Sequence, residues 1–225
     1  MNSKLISVIM SVYNNENEVI EAVKSILNQT YDNFEFLIMD DASKDNTLKN
    51  LKSFEDRRIK ILHNDKNLGL TRSLNILIGK SRGFYLARQD SDDQSLPTRF
   101  EEQIKILQEK NLKACTTRAK IKNSERLIPK WSFYIPKRIL IKYKNPFIHG
   151  SLMIEKNLLE SVGSYDDRFK YAQDYKLFND LIKNNIKIKT LNKALYILNM
   201  QNNISTKKFD EQQYYAYCVK KSLIP

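Results

Sequence analysis

The fold class of this chain is indicated first by the segment Ser7-Val8-Ile9-Met10-Ser11-Val12, which Tyr13-Asn14-Asn15 follow. A short run of mostly apolar and β-branched residues that ends in asparagines is typical of a buried β-strand. Residues 18–29 follow with apolar side chains at helical spacing, and residues 34–39 form a second strand pattern. A strand, a helix and a strand of these lengths predict a right-handed crossover between two parallel strands.

The same alternation continues to residue 110 and then becomes less regular. It predicts helices over 48–54, 70–80 and 98–110, and strands over 59–62 and 84–87. Later patterns predict helices over 136–143, 156–162, 174–185 and 209–223, and strands over 151–154 and 186–195. No internal repeat or low-complexity linker divides the chain. We therefore expect one α/β domain over residues 1–225, with a mostly parallel central sheet flanked by helices.

Composition excludes several classes of protein. The 225 residues are 41% hydrophobic and include only 5 Gly and 5 Pro, so the chain is neither disordered nor fibrous. Its two cysteines, Cys115 and Cys218, are far apart and form no CxxC motif, which favours a reducing compartment. The first apolar run is too short for a signal peptide or a membrane span. A cytoplasmic protein is the expectation.

The net charge of +12 lies entirely in the second half of the chain. Residues 1–110 carry 16 basic and 17 acidic side chains, whereas residues 111–225 carry 22 and 9. Residues 118–145 alone hold nine basic side chains and one acidic one, interleaved with Trp131 and three other aromatic residues. Such a surface suits nucleic acid, phosphorylated ligands or an anionic membrane, and it also suits a merely solvated lysine-rich face.

Polar clusters follow three of the four predicted strands in the first half: Ser11 to Asn15, Asp40-Asp41, and Asp90-Ser91-Asp92-Asp93. Ligands of parallel sheets bind at the carboxyl ends of the strands, so these clusters predict a site. Three carboxylates within four residues raise one another's pKa, and a hard cation such as Mg²⁺ or Mn²⁺ relieves the repulsion. Taken alone, the tetrapeptide equally suits an acidic turn that begins the next helix.

Further candidates each have a second interpretation. Tyr13 suits stacking on a base or simple packing, and Asp41 suits hydrogen bonds to a nucleoside or capping of a helix. Arg72 near a helix start suits phosphate or plain solvation. Asp174, in an aromatic setting at a helix start, suits a general base or an N-cap. His149 beside Gly150 suits a residue that lines the site or a packing histidine.

Taken in order, these pieces resemble the family-2 glycosyltransferases of GT-A fold. The resemblance spans residues 5 to about 200 and rests on an ordered set of motifs, which are Ser7 to Asn14, Ile26 to Phe36, Asp40 to Ser43 with Asp45-Asn46-Thr47, Asn67-Leu68-Gly69-Leu70, Asp90 to Asp93, Gly163-Ser164-Tyr165-Asp166 and Ala172-Gln173-Asp174-Tyr175. It implies an enzyme that moves a sugar, with inversion, from a nucleotide-sugar donor to an acceptor hydroxyl. A UDP-sugar is the usual donor.

The resemblance also implies roles for individual residues. Ser11, Tyr13 and Asp41 match positions that hold the nucleoside, and Arg72 matches one that meets the diphosphate. Asp90-Ser91-Asp92 matches the DXD motif, in which Asp90 is expected to bind the nucleotide sugar and Asp92 bridges through Mn²⁺ or Mg²⁺ to the diphosphate. Asp174 matches the aspartate that deprotonates the acceptor, with Gln173 beside it, where Glu is commoner. His149 is expected on the acceptor side.

Two halves with different tasks follow from this assignment. Residues 1–110 are expected to bind the nucleotide sugar, and residues 111–225 to bind a glycan or lipid-linked acceptor of surface polysaccharide or lipo-oligosaccharide synthesis. We expect residues 118–145 to contact the anionic inner face of the cell membrane, and we expect no nucleic-acid partner. After the last strand the family often has an arginine and a histidine, which residues 196–200 lack, so Lys207-Lys208 is the expected substitute.

Two other functions compete with this one. A nucleic-acid-binding module would use the basic and aromatic residues 118–145, but the acidic clusters at the strand ends would repel phosphates. A nucleotidyltransferase of related fold would usually carry a glycine-rich basic loop after the first strand. Tyr13-Asn14-Asn15-Glu16 is not such a loop.

Overall fold

A computed structural model describes residues 3–201 and 208–225, and within them the chain builds a nine-stranded sheet. Its first four strands are parallel and stand in the order β3-β2-β1-β4. They are β1 (Ile6–Val12), β2 (Phe34–Asp40), β3 (Ile59–His63) and β4 (Tyr85–Arg88). Every residue of β1 and β2 is buried, which explains their nearly continuous apolar sequence.

The second half of the chain extends the same sheet in the order β4-β8-β6-β9-β5, with β7 beside β6. These strands are β5 (Gln94–Ser95), β6 (Ala114–Ile121), β7 (Leu127–Ile128), β8 (Met153–Glu155) and β9 (Ile188–Leu198). β6 and β9 pair in parallel over most of their length. The antiparallel pairings, which involve β5, β7 and β8, are two or three residues long, so the sheet is mostly parallel.

Helices cover both faces of the sheet. One face carries α1 (Val19–Leu27), α2 (Thr47–Lys52) and α4 (Arg99–Glu109), and their apolar sides form one core with β1 residues such as Val8 and Met10. The other face carries α3 (Leu70–Lys80), α6 (Lys156–Ser161), α7 (Gln173–Lys183) and α8 (Phe209–Lys221). A short helix, α5 (Lys137–Leu140), lies within residues 118–145, the basic segment. Among the described residues, no helix is both long and apolar enough to cross a membrane.

The predicted elements of the first half are confirmed to within one or two residues. The second half differs more: the strands predicted over 151–154 and 186–195 lie at Met153–Glu155 and Ile188–Leu198, and β7 was not predicted. Two further corrections concern the basic segment. Residues 118–121 belong to the strand β6 rather than to a continuous surface segment, and the helix predicted over 136–143 ends at Leu140. The strand was missed because Thr116, Thr117 and Arg118 interrupt its apolar pattern, although Thr116 and Thr117 are fully buried. The hydroxyl of Thr116 lies 3.1 Å from that of Thr190 on β9, a partner far away in sequence.

Candidate functional site

A cleft of about 1250 Å³ opens at the carboxyl ends of the parallel strands. All nine residues that the sequence singles out line this one cleft. They are Ser11, Tyr13, Asp41, Arg72, Asp90, Asp92, His149, Gln173 and Asp174. They lie in β1, in the loops after β1, β2 and β4, in α3, in the turn before β8 and in α7, so the fold gathers residues that are up to 163 positions apart.

The loop after β1 lines the cleft and is fixed by hydrogen bonds to two neighbouring segments. The backbone N–H groups of Asn14 and Asn15 donate to the hydroxyls of Ser43 and Thr47, at 3.0 and 2.8 Å. The side-chain amide of Asn15 donates to the hydroxyl of Ser91 at 3.1 Å, which joins this loop to the acidic loop after β4. Tyr13 is therefore not packed away, and its side chain is exposed on the cleft wall.

Asp41 organises the loop that leads into α3. Its Oδ1 accepts hydrogen bonds from the Asn64 side chain at 2.7 Å and from the Leu68 N–H at 2.8 Å, and its Oδ2 accepts from the Gly69 N–H at 2.8 Å. The φ of +85° at Gly69 belongs to the left-handed region, which favours glycine. Arg72 follows in the first turn of α3 with an exposed side chain, and its Nε lies 3.8 Å from Asp167 Oδ2.

The acidic loop after β4 divides its three carboxylates between two directions. Asp90 and Asp92 line the cleft, whereas the buried Asp93 accepts a 2.7 Å hydrogen bond from the backbone N–H of Asn199. Burial, together with Asp90, raises the pKa of Asp92 to about 6 and raises that of Asp93 well above its usual range. The guanidinium of Arg88, itself buried, donates to Asp90 Oδ1 at 2.5 Å. The clustered carboxylates thus raise the pKa of Asp92 and Asp93, as expected from their spacing, but only Asp90 and Asp92 of the three line the cleft.

Gly150 packs directly beneath this loop. A Cβ added at Gly150 would lie 2.5 Å from Asp90 Oδ2 and would also overlap the Tyr196 hydroxyl. No side chain fits there without displacing Asp90, because real Cβ atoms do not approach that closely. The sequence offered only a glycine beside a histidine, so the contact with Asp90 is visible only in the tertiary structure.

The chemistry of Asp90 and Asp92 fits a hard divalent cation that takes few protein ligands. The described residues contain no group of three or more His, Cys, Asp and Glu side chains that is ready to hold a metal ion. Mg²⁺ and similar ions commonly take one or two carboxylates and complete their shell with water and phosphate oxygens. The raised pKa of Asp92 marks a carboxylate whose charge the protein leaves poorly compensated, and a cation would compensate it.

Asp174 lies in the first turn of α7 and is held from outside the helix. The side-chain amide of Asn145 donates to Asp174 Oδ2 at 2.6 Å, and the Phe147 N–H donates to Asn145 Oδ1 at 3.0 Å, which fixes the orientation of the amide. Asp174 is not the N-cap, because the helix begins after Ala172, which has a left-handed φ of +53°. Gln173 is buried beside it.

His149 is paired with a tyrosine that the sequence did not connect to it. Its Nε2 lies 2.6 Å from the hydroxyl of Tyr165, which is buried. Burial, and then the nearby charge of Arg88, lower the pKa of His149 to about 4, so the ring is neutral at neutral pH. Burial raises the pKa of Tyr165, which keeps its hydroxyl protonated.

The C-terminal segment also reaches the cleft. Asn199, Gln201 and Lys208 line it, and Lys208 forms a 3.0 Å ion pair with Glu211. Lys207 lies outside the described residues. Sequence reasoning missed Arg88, Asn145 and Tyr165, because each acts through a partner that is distant in the chain or is itself buried.

Comparison with known proteins identifies the family. The model of glycosyl transferase family 2 matches residues 7–169. The Escherichia coli protein WfgD, a UDP-Glc:alpha-D-GlcNAc-diphosphoundecaprenol beta-1,3-glucosyltransferase, is 31% identical over 218 residues, which cover 94% of this chain and 83% of WfgD.

Solved structures show the same fold. TarS 1–349 of S. aureus, in complex with UDP-GlcNAc, has a TM-score of 0.76 at 22% identity, covering 88% of this chain and 59% of that one. The mannosyltransferase PcManGT of Pyrobaculum calidifontis, in complex with GDP-Man and Mn²⁺, has a TM-score of 0.74 at 16% identity, covering 93% of this chain and 61% of that one. The family model matches well over half of the length of this chain. The chain therefore belongs to glycosyl transferase family 2 and is a glycosyltransferase of GT-A fold.

Proposed function

We propose that this enzyme transfers a sugar from a nucleotide-sugar donor to a hydroxyl of a glycan or lipid-linked acceptor, with inversion at the sugar carbon. Asp174 lines the same cleft as the acidic loop that bears Asp90 and Asp92, and this arrangement is the main support for the proposal. Similarity to WfgD supports a UDP-sugar as donor and a diphosphate-linked lipid as acceptor. The TarS complex with UDP-GlcNAc supports the same class of donor.

Residues 1–110 hold the donor in this proposal. Tyr13 is exposed and available to stack on the base, and Ser11 lies at the end of β1 beneath it. Asp41 contributes mainly by shaping the 68–69 loop, since each of its oxygens already accepts a hydrogen bond. The cleft is lined by the cations Lys66, Arg72, Lys170 and Lys208, and of these we assign Arg72 and Lys208 to the diphosphate.

Asp90 and Asp92 would hold Mn²⁺ or Mg²⁺. The bound ion would supply Lewis-acid stabilisation of the charge on the leaving diphosphate. The chain's own part is to keep Asp90 in place through Arg88 and Gly150, and to present Asp92 on the cleft wall. The presence of Mn²⁺ in the PcManGT complex supports this assignment.

Asp174 is the general base. Asn145 occupies Oδ2, so Oδ1 is the oxygen available to the acceptor hydroxyl. As the hydroxyl oxygen bonds to the sugar carbon, the bond from that carbon to the diphosphate oxygen breaks, and the hydroxyl proton passes to Asp174. One displacement from the opposite side inverts the carbon, and no covalent sugar–enzyme intermediate forms.

Transfer assays with UDP-, GDP- and dTDP-sugars and Mn²⁺ test this function, after a thermal-shift screen that selects the donor. We expect activity that EDTA removes and that Asp174→Asn lowers by about 10²–10⁴-fold, while UDP binding stays near the wild-type value. Asp65→Asn is the matched control, because Asp65 is exposed and does not line the cleft. Loss of UDP binding in Asp174→Asn would contradict the assignment of the base.

We also propose that the basic segment binds the anionic cytoplasmic face of the cell membrane. Residues 118–145 contain nine Lys and Arg and one acidic residue, Glu125. Trp131, Tyr134 and Tyr143 project from this segment and are 78%, 73% and 68% exposed. Amphipathic aromatic rings beside cations suit the headgroup region of a bilayer, where a lipid-linked acceptor resides. Residues 111–225 would thus form the acceptor half.

A further inference from the structure

One short segment, residues 145–150, contacts both the proposed general base and the acidic loop. Asn145 donates to Asp174 at one end of the segment, and Gly150 packs against Asp90 near the other. His149, one residue before Gly150, lines the cleft. In the proposed reaction the sugar carbon lies between the leaving diphosphate and the base, so His149 stands beside the point of transfer.

The partner of His149 determines where its proton lies. The hydroxyl of Tyr165 is buried, and within residues 3–201 and 208–225 its hydrogen-bond partner is His149 Nε2. A buried hydroxyl proton needs an acceptor, and the lone pair of a neutral imidazole at Nε2 supplies one. The ring proton must then be on Nδ1. The side-chain hydrogen bonds of the described residues leave His149 Nδ1 without a protein partner.

We propose that His149 is a neutral N–H donor, locked in its Nδ1–H form by Tyr165, that binds a sugar hydroxyl at the point of transfer. This inference rests on the proposed function and adds a specificity-determining residue to it. The imidazole cannot serve as a second base, because Tyr165 occupies its lone pair. The hydroxyl it binds belongs either to the transferred sugar or to the acceptor sugar.

Nitrogen NMR of the imidazole rings tests the tautomer without any activity assay. The chain has only two histidines, so His63→Gln assigns the signals. We expect wild-type His149 to carry its proton on Nδ1 at pH 7, and Tyr165→Phe to shift the ring toward the Nε2–H form. A wild-type ring with its proton on Nε2 would overturn the proposal, whether or not the protein transfers sugar.

Two variants separate the two ring nitrogens. His149→Asn keeps an N–H donor near the position of Nδ1, whereas His149→Gln keeps one near Nε2 and loses the Nδ1 donor. We expect His149→Gln to lower kcat/KM by about 10–100-fold and His149→Asn to restore most of it. Unfolding temperature and UDP affinity should match in the two variants. Equal activity in both would refute the role of the Nδ1 proton.

Binding measurements identify the source of the hydroxyl. If His149 binds the transferred sugar, His149→Gln weakens UDP-sugar binding and leaves UDP binding unchanged. If it binds the acceptor, UDP-sugar affinity is unchanged and the KM for acceptor rises. If neither quantity changes, the proposal is wrong. A wild-type enzyme that transfers from none of the sugars tested would refute the proposed function instead, and the NMR experiment would still decide the tautomer.

Discussion

We expect Asp92 to serve the proposed function at the expense of stability. Its pKa of about 6 exceeds the 3.8 of an unfolded chain, so its ionisation opposes folding above pH 6, and this effect vanishes below pH 3.8. We predict that Asp92→Asn stabilises the metal-free protein at pH 7.5 by about 1–3 kcal/mol while abolishing Mn²⁺-dependent UDP binding. Urea unfolding with EDTA and UDP titration with Mn²⁺ measure the two effects. A metal-free variant no more stable than wild type would contradict the prediction, and Asp65→Asn is the control.

His149 should make stability fall in acid. Its folded pKa of about 4 lies below the 6.5 of an unfolded histidine, so the unfolded chain takes up the proton first as the pH falls. The contribution of the neutral ring to the free energy of unfolding is complete above pH 6.5 and is lost progressively as the pH falls toward 4. Relative to His149→Asn, wild type should lose stability by about 1.4 kcal/mol per pH unit below pH 6. Unfolding curves at pH 7.5, 6.5, 5.5 and 4.5 measure this, and parallel curves for both proteins would contradict it.

Between elements, two hydrogen bonds tie the start of α7 to the preceding basic segment. Asn145 donates to Asp174, and the Tyr175 hydroxyl donates to the Ile141 carbonyl at 2.6 Å. We predict that Asn145→Ala lowers kcat about tenfold with little change in UDP affinity, because the base loses its orientation. Tyr175→Phe, the matched control, should lower stability by about 1 kcal/mol and keep kcat. Steady-state kinetics and urea unfolding separate the two outcomes, and equal kcat losses would contradict the assignment.

The turn before β8 also sets the position of the acidic loop. Gly150→Ala introduces a Cβ that overlaps Asp90 and Tyr196, so either the turn or the loop must move. We predict a loss of Mn²⁺-dependent UDP affinity of at least tenfold and a destabilisation of about 1–3 kcal/mol. Calorimetric titration and thermal unfolding measure these. Gly79→Ala is the control, because an added Cβ at Gly79 meets no atom within 4 Å. An unchanged UDP affinity in Gly150→Ala would refute the coupling.

For the whole molecule, the uneven charge distribution predicts an oriented encounter with membranes. We predict that the protein sediments with anionic phosphatidylglycerol vesicles, more weakly at higher salt, and that Trp131→Ser with Tyr134→Ser lowers the binding constant about tenfold. The matched control is Tyr214→Ser with Tyr217→Ser on α8, where Asp210 and Glu211 accompany the 54% and 51% exposed rings. Equal binding to neutral and anionic vesicles, or an equal loss in the control, would argue against membrane contact by the basic segment.

Local sequence patterns predicted the order of strands and helices along the first half and nine of the residues that line the cleft. Those signals are local, because the apolar periodicity of β1 and the acidic loop after β4 are legible within a dozen residues. The strand β6 escaped detection because its buried threonines are stabilised by β9, about 70 residues later. A pairing over such a distance leaves no local pattern.

The hydrogen-bond partners of the candidate side chains depend on the tertiary structure. Asp93 accepts a hydrogen bond from Asn199 and does not line the cleft, Asn145 donates to Asp174, and Tyr165 pairs with His149. These contacts join residues that are 16 to 106 positions apart in the sequence. Charge and protonation depend on burial and on neighbouring groups, and burial is a property of the packed molecule rather than of a motif.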